Sequence, residues 1–246
     1  DLTWKKHPQF HTQQVIDNHT RKLDKTVQYG DTIIVDSKQT RDDLQKYYPN
    51  TTDDVYLVPL GVDERFFTNY SEIDIAARIE KYGIHKPYLL YVGAIEPRKN
   101  LITLVQAFAM VLKKNPQLQL VLAGRSGWKN EEVYAEIDKL ALTDKVHFTG
   151  YVEDADLPYL YQGAEVFVYP SLYEGFGLPP LEAMASGTPT IAYNSPSVSD
   201  VFVDSIDPSD LAQQIQSYLD GKEVTKIRIP TWEETAQLTL EVLTAS

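Results

Sequence analysis

Two carboxylates flank a loop that a ligand can approach closely. Glu174 and Glu182 stand eight positions apart in YPSLYEGFGLPPLEAMASGTP, residues 169–189. A carboxylate accepts two hydrogen bonds from a vicinal diol, so ribose and sugar hydroxyls are natural partners for both. Between them, Gly175 and Gly177 bracket Phe176 and open the backbone to close contact, with Leu178 next in line. Pro179 and Pro180 suit the first turn of a helix that Gly187 ends. The free N–H groups at such a helix start, with roughly half a positive charge, cradle phosphate. The competing reading is that the carboxylates only complement a helix dipole and that the glycines and prolines only make a turn.

A second stretch, YVGAIEPRKNL (91–101), places Arg98 and Lys99 just after Gly93 at another strand end. Arginine binds a diphosphate in bidentate fashion and lysine adds a mobile point charge. The alternative is a solvated basic turn. The chain is otherwise acidic, with 35 Asp and Glu against 23 Lys and Arg, a formal net charge of −12. That balance excludes a broad nucleic-acid footprint, which needs a basic face. Any anionic ligand must be met locally.

These residues need strands and helices to bring them together, and the pattern supplies both. From residue 86 apolar runs alternate with helical periods. Strands are predicted at 87–95, 118–124, 145–150, 166–171 and 188–193, and helices at 100–116, 130–142, 156–164, 180–187 and 208–219. That alternation predicts a doubly wound α/β domain with a parallel sheet, in which ligands bind beyond the carboxyl ends of the strands. Upstream, DTIIVDS, KQTRDDLQKYYP and VYLVPLGVD read as one more strand, helix and strand, and residues 63–86 read as a connection. The last segment, TWEETAQLTLEVL, is helical by period, with Thr231 as its N-cap and Glu234 at capping-box spacing. With no cysteine, neither a disulfide nor a thiolate metal site can form, and no apolar run approaches the roughly 20 residues that span a bilayer.

The motifs VGAIEPRKNL, LVLAG, FTGYV, LYQGAEVFVYPSLYEGFGLPPLEAMASGTP and WEETA together resemble the retaining, nucleotide-sugar-dependent glycosyltransferases of family 4. The resemblance covers nearly the whole chain. It implies the GT-B architecture: one complete Rossmann-like donor-binding domain over 86–230, the tail of an acceptor-side Rossmann-like domain with its connection over 1–85, and a terminal helix over 231–246 that returns to the first domain. It implies that Glu174 and the backbone of Gly175, Phe176, Gly177 and Leu178 hold the donor sugar and diphosphate. Glu182 would hold the ribose, and Arg98 and Lys99 beside Gly93 would neutralise the diphosphate. Val152 and Asp154 lie where such enzymes contact the nucleobase, and an aspartate can accept from both N–H groups of a guanine edge. An exposed acidic turn is the competing reading there. Gly124, Arg125 and Trp128 line the same crevice or merely form a turn. His147 reads as structural, and His7 and His11 lack metal-ligand partners at persuasive spacing. No metal and no cofactor are implied.

The chain departs from the family pattern at four places. Ala94 stands where members carry a second cation. The junctions at 200–202 and 219–232 are short. Similar enzymes also place a histidine directly before the Asp1-Leu2 pair, at the end of a longer amino-terminal domain, so the chain reads as truncated at its front. The expected activity is transfer of a hexose, mannose first, from GDP-mannose or a UDP-sugar to a saccharide or lipid-linked saccharide acceptor in polysaccharide biosynthesis. The expected location is cytoplasmic, with peripheral contact at the inner membrane face through the upstream region. The rival readings are a non-catalytic nucleotide-sugar-binding module and a hydrolase or epimerase on the same fold.

Overall fold

A computed structural model describes residues 1–30, 32–51, 55–128, 130–193, 195, 205–224 and 227–245. The short junction expected at 200–202 lies outside them, as do residues 225–226 of the second junction. In chain order the elements are α1 (Thr3–Lys6), α2 (Gln13–Tyr29), β1 (Ile33–Val35), α3 (Lys38–Tyr47), β2 (Val55–Leu57), α4 (Glu72–Glu80), β3 (Tyr88–Val92) and α5 (Leu101–Val111). They continue with β4 (Gln119–Ala123), α6 (Glu131–Lys139), β5 (Val146–Gly150), α7 (Leu157–Gly163), β6 (Val166–Tyr169), α8 (Leu178–Ala185), β7 (Thr190–Ala192), α9 (Pro208–Leu219) and α10 (Trp232–Ala245).

The larger sheet is parallel, with strand order β5-β4-β3-β6-β7. Its central strands are continuous apolar runs because helices cover both of their faces, which is the sequence signature of a parallel sheet. Every residue of β6 and the first four of β3 are buried. Helix α5 packs with α6 and α9, while α7 packs with α4 and α8, so the helices form the two layers of a doubly wound sheet. The smaller sheet pairs β1 with β2, also in parallel.

The predicted strands and helices of 86–219 are all present, most with shorter ends; α9 spans the predicted 208–219, and α8 begins two residues early, at Leu178, and ends at Ala185. Helix α5 stops at Val111 rather than at residue 116: Asn115 turns its side-chain amide onto the Val111 carbonyl at 3.1 Å, and Pro116 disfavours helix in the residue before it. The stretch 63–86, read as a connection, contains α4, N-capped by Ser71, and its Ile75 and Ile79 join the main core with Phe66 and Ile84. The segment is therefore packed into the core of the larger sheet. Asp156 fastens it there, accepting from Arg78 at 3.0 Å, Lys81 at 2.8 Å and Tyr82 at 2.6 Å. The capping box read at the last helix is formed, with Glu234 N–H on Thr231 Oγ1 at 3.3 Å and Thr231 N–H on Glu234 Oε2 at 3.0 Å. This end of α10 docks on residues 59–62: Val62 N–H donates to the Pro230 carbonyl at 2.9 Å and the Thr235 hydroxyl to that of Pro59 at 2.8 Å.

Candidate functional site

The strand order itself locates a crevice. From β3 the chain moves outward to β4 and β5, and from β6 it moves the other way to β7. Beyond the carboxyl ends of β3 and β6 the connections diverge, and ligands of open α/β sheets bind at such a switch point. Arg98 and Lys99 follow β3, and Glu174 follows β6, so the two motifs meet there.

They meet as a buried ionic cluster. Glu174 is only 8% exposed, and its Oε1 takes Lys99 Nζ at 2.6 Å, Arg98 at 2.9 Å, the Tyr169 hydroxyl at 3.1 Å and the Ser171 hydroxyl. Lys99, 6% exposed, also donates to the Tyr169 hydroxyl at 2.7 Å. Arg98 divides its guanidinium between Glu174, the Glu96 carboxylate at 2.8 Å and the Tyr173 carbonyl at 2.8 Å. Burial works to raise the Glu174 carboxyl, but Lys99 and Arg98 outweigh it and hold the group below the usual carboxylate range. Burial, helped by Arg98, lowers Lys99 against the pull of Glu174. Glu174 thus has Arg98 and Lys99 as its buried cationic partners. With Glu96 and Glu174 beside Arg98 and Lys99, the cluster is close to neutral.

Glu182 sits in a different environment. It is half-buried on α8 and accepts from the Tyr161 hydroxyl at 2.9 Å. Burial raises its carboxyl; the Tyr161 hydrogen bond and Arg65 draw it down, Asp154 and Asp63 push it up, and the net shift is upward. It faces a pocket with Asp63, Arg65, Asp154, Leu178 and Trp232. A neighbouring crevice holds Gly93, Ala94, Gly124, Arg125, Val152 and Asp154, so Asp154 belongs to both. Gly93 and Gly124 touch across β3 and β4: a Cβ on Gly124 would lie 2.0 Å from the Gly93 carbonyl oxygen. Arg125 lies over the Tyr151 ring at 4.7 Å.

Gly177 is the N-cap residue of α8 and Leu178 its first residue, so the Glu174 loop does feed a helix amino terminus. Phe176 is buried, and its carbonyl accepts from Ser195 at 3.4 Å. Val152 and Asp154 stand with Gly93 rather than with Glu174. His147 bonds the Tyr82 carbonyl at 2.6 Å, a packing contact far from the cluster residues in sequence. The sequence reading did not find Glu96, Tyr161, Tyr169 or Ser171. The tyrosines look like strand and helix core, and only their hydroxyls reveal a second task.

A parallel sheet with carboxylates, cations and a helix amino terminus at its switch point has the layout of the doubly wound α/β proteins. Residues 74–228 match the family model described as glycosyl transferases group 1, and the chain belongs to that family. It is similar to O-antigen chain mannosyltransferase B of Escherichia coli, 31% identical over 209 residues that make up 83% of this chain and 55% of that protein. The chain therefore spans about half the length of that curated relative. Among solved structures it resembles a glycosyltransferase from Rickettsia africae, with a TM-score of 0.77 and 19% identity over 90% of this chain and 68% of that one. It also resembles Anabaena HepE in complex with UDP-glucose, with a TM-score of 0.73 and 19% identity over 88% of this chain and 64% of that one. The α/β fold with its parallel sheet matches glycosyltransferase structures of the GT-B type.

Proposed function

We propose that the chain is the donor-binding part of a retaining family 4 glycosyltransferase that moves a hexose, mannose first, from a nucleoside diphosphate sugar to a saccharide hydroxyl in polysaccharide assembly. The observation that carries this reading is the meeting of Glu174 with Arg98 and Lys99 at the switch point, with Glu182 one helix turn further on. In this reading Glu182 takes the ribose diol, and the amino end of α8 with Arg98 and Lys99 faces the diphosphate. Glu174, with the Gly175 to Leu178 backbone, takes the sugar. Val152 and Asp154, in the crevice beside Gly93, take the nucleobase. The bond from the anomeric carbon to the diphosphate breaks while the acceptor oxygen bonds the same face, and the acceptor proton passes to a donor phosphate oxygen. Catalysis is then electrostatic stabilisation of the leaving diphosphate by groups already in place. Mannose is favoured by the name of the Escherichia coli relative, and GDP by Asp154; the UDP-glucose complex of the Anabaena neighbour keeps UDP-sugars as the competing donor class. A saccharide or lipid-linked saccharide is the acceptor class. Among the described residues no helix is long and apolar enough to cross a membrane. The proposed location is cytoplasmic, with peripheral contact at the inner membrane face.

Calorimetric titration with GDP-mannose, GDP, UDP-glucose and UDP, followed by mass analysis of products with and without oligomannoside acceptors, tests the reading. Tighter binding of the GDP series and mannose found on the acceptor are expected. Release of free mannose regardless of acceptor would make the protein a hydrolase instead.

A further inference from the structure

The Glu174 loop is held by residues distant in sequence, in the first region of the chain. Along α3 and its N-cap, Ser37, Thr40 and Asp43 recur at three-residue spacing, which puts them on one helix face. All three are buried, yet all are polar, which requires partners. The Ser37 hydroxyl donates to the Gly175 carbonyl while accepting the Thr40 N–H at 3.0 Å, and the Thr40 hydroxyl lies 3.4 Å from the same carbonyl. Asp43 accepts from the Tyr173 hydroxyl at 2.8 Å and from Lys6 at 3.1 Å. Tyr173 is fully buried, with the His7 ring 5.1 Å away and Lys6 4.8 Å above its own ring. Gly175 also closes on Asp1: a Cβ there would lie 2.4 Å from the Asp1 Cβ.

The contacts bracket Glu174 on both sides, through Tyr173 before it and Gly175 after it. In a trans peptide the C=O and the next N–H point in opposite directions. Anchoring the Gly175 carbonyl on α3 therefore aims the Phe176 N–H away from α3. We infer that Ser37, Thr40 and Asp43 are positioning residues that set the Tyr173-Glu174-Gly175 segment for the donor sugar, acting through its backbone and through Tyr173 rather than touching the ligand. This rests on the donor-site reading above. It adds that sugar recognition depends on the α3 face of the first region of the chain, whose residues 37–43 are absent from the Glu182 pocket.

The test uses the 246-residue chain and three variants. Ser37→Asp keeps the N-cap acceptor but cannot donate to the Gly175 carbonyl, Tyr173→Phe releases Asp43, and Ser37→Thr retains the hydroxyl. For Ser37→Asp and Tyr173→Phe the affinity for GDP is expected to stay within about twofold, while the added affinity of GDP-mannose over GDP falls by about tenfold, the scale of one hydrogen bond. Ser37→Thr is expected to restore it. Equal losses for GDP and GDP-mannose would show a merely structural role and overturn the assignment, as would an unchanged preference for GDP-mannose. Amide hydrogen exchange at 174–177 in the ligand-free chain decides independently: Ser37→Asp is expected to speed it by about tenfold, and unchanged exchange overturns the clamp. If the wild-type chain fails to prefer GDP-mannose or UDP-glucose over the bare diphosphates, the donor reading fails, and the exchange rates still judge the clamp.

Discussion

The two glutamates of one loop and helix live in opposite electrostatic worlds. Glu174 is enclosed, bonded to two cations and two hydroxyls, and held below the usual carboxylate range. Glu182 has one hydroxyl partner, Arg65 and two carboxylates nearby, and a raised carboxyl, and it lines a pocket. The difference teaches that the first is finished before any ligand arrives and the second is not. A prebuilt ion cluster costs no reorganisation when charge develops, whereas a carboxylate short of donors is ready to take them from a diol.

The largest effect that would break this comparison is on stability. Glu174→Gln leaves Lys99 buried without its counter-charge and is expected to cost about 3–5 kcal/mol in urea unfolding, the range for breaking a buried pair. Glu182→Gln is expected to be neutral or slightly stabilising at neutral pH. The pH dependence sharpens the contrast, because the shifts have opposite sign. Glu174, lowered from 4.5, contributes stability that is present above 4.5 and is lost as pH falls through its depressed value. Glu182, raised from 4.5, contributes stability that is present below 4.5 and is lost as pH rises through its elevated value. Unfolding series across pH are expected to show a flattened acid limb in Glu174→Gln and removal of that loss on raising pH in Glu182→Gln. Identical profiles for the two variants would erase the distinction.

Next in size are the cations. Arg98→Ala and Lys99→Ala are each expected to weaken nucleoside diphosphate binding by about 1.5–3 kcal/mol while sparing the free nucleoside, since each removes a charged partner. Because both cations are already matched by Glu96 and Glu174, equal losses for nucleoside and diphosphate would show that they serve the fold alone. Smaller still, Glu182→Gln is expected to weaken every ribonucleotide by about 1 kcal/mol, and 2′-deoxyribonucleotides less. The smallest expected effect is none: chelation with EDTA leaves donor binding unchanged, and a strict manganese requirement would contradict the assignment of the diphosphate to Arg98, Lys99 and the start of α8.

How much of this was legible in the sequence follows from where each signal lies. The sheet strands are uninterrupted apolar runs, so β3, β4 and β6 were readable without partners. Helix α4 was not, because only Ile75 and Ile79 of its nine residues are buried, too sparse a period among charged neighbours. Helix α2 has no buried residue and gives no core-facing stripe to read. Glu174, Arg98 and Lys99 were legible because short loops after strands carry charge for a reason. Ser37, Thr40 and Asp43 were not, since the residues that explain them lie 138, 135 and 130 positions away. Tyr161 and Tyr169 hid as core aromatics, as their rings are fully packed and only the hydroxyls reach the glutamates.

Whether one crevice at the switch point of β3 and β6 holds a nucleoside diphosphate sugar is decided by a crystal structure of the chain soaked with GDP-mannose. The account predicts the ribose hydroxyls on Glu182, the diphosphate at the amino end of α8 beside Arg98 and Lys99, and the sugar against Glu174. Nucleotide density elsewhere, such as the groove between α5 and α9 lined by Met110, Lys114, Ala212 and Gln216, with Glu182 and the α8 terminus left untouched, would contradict it.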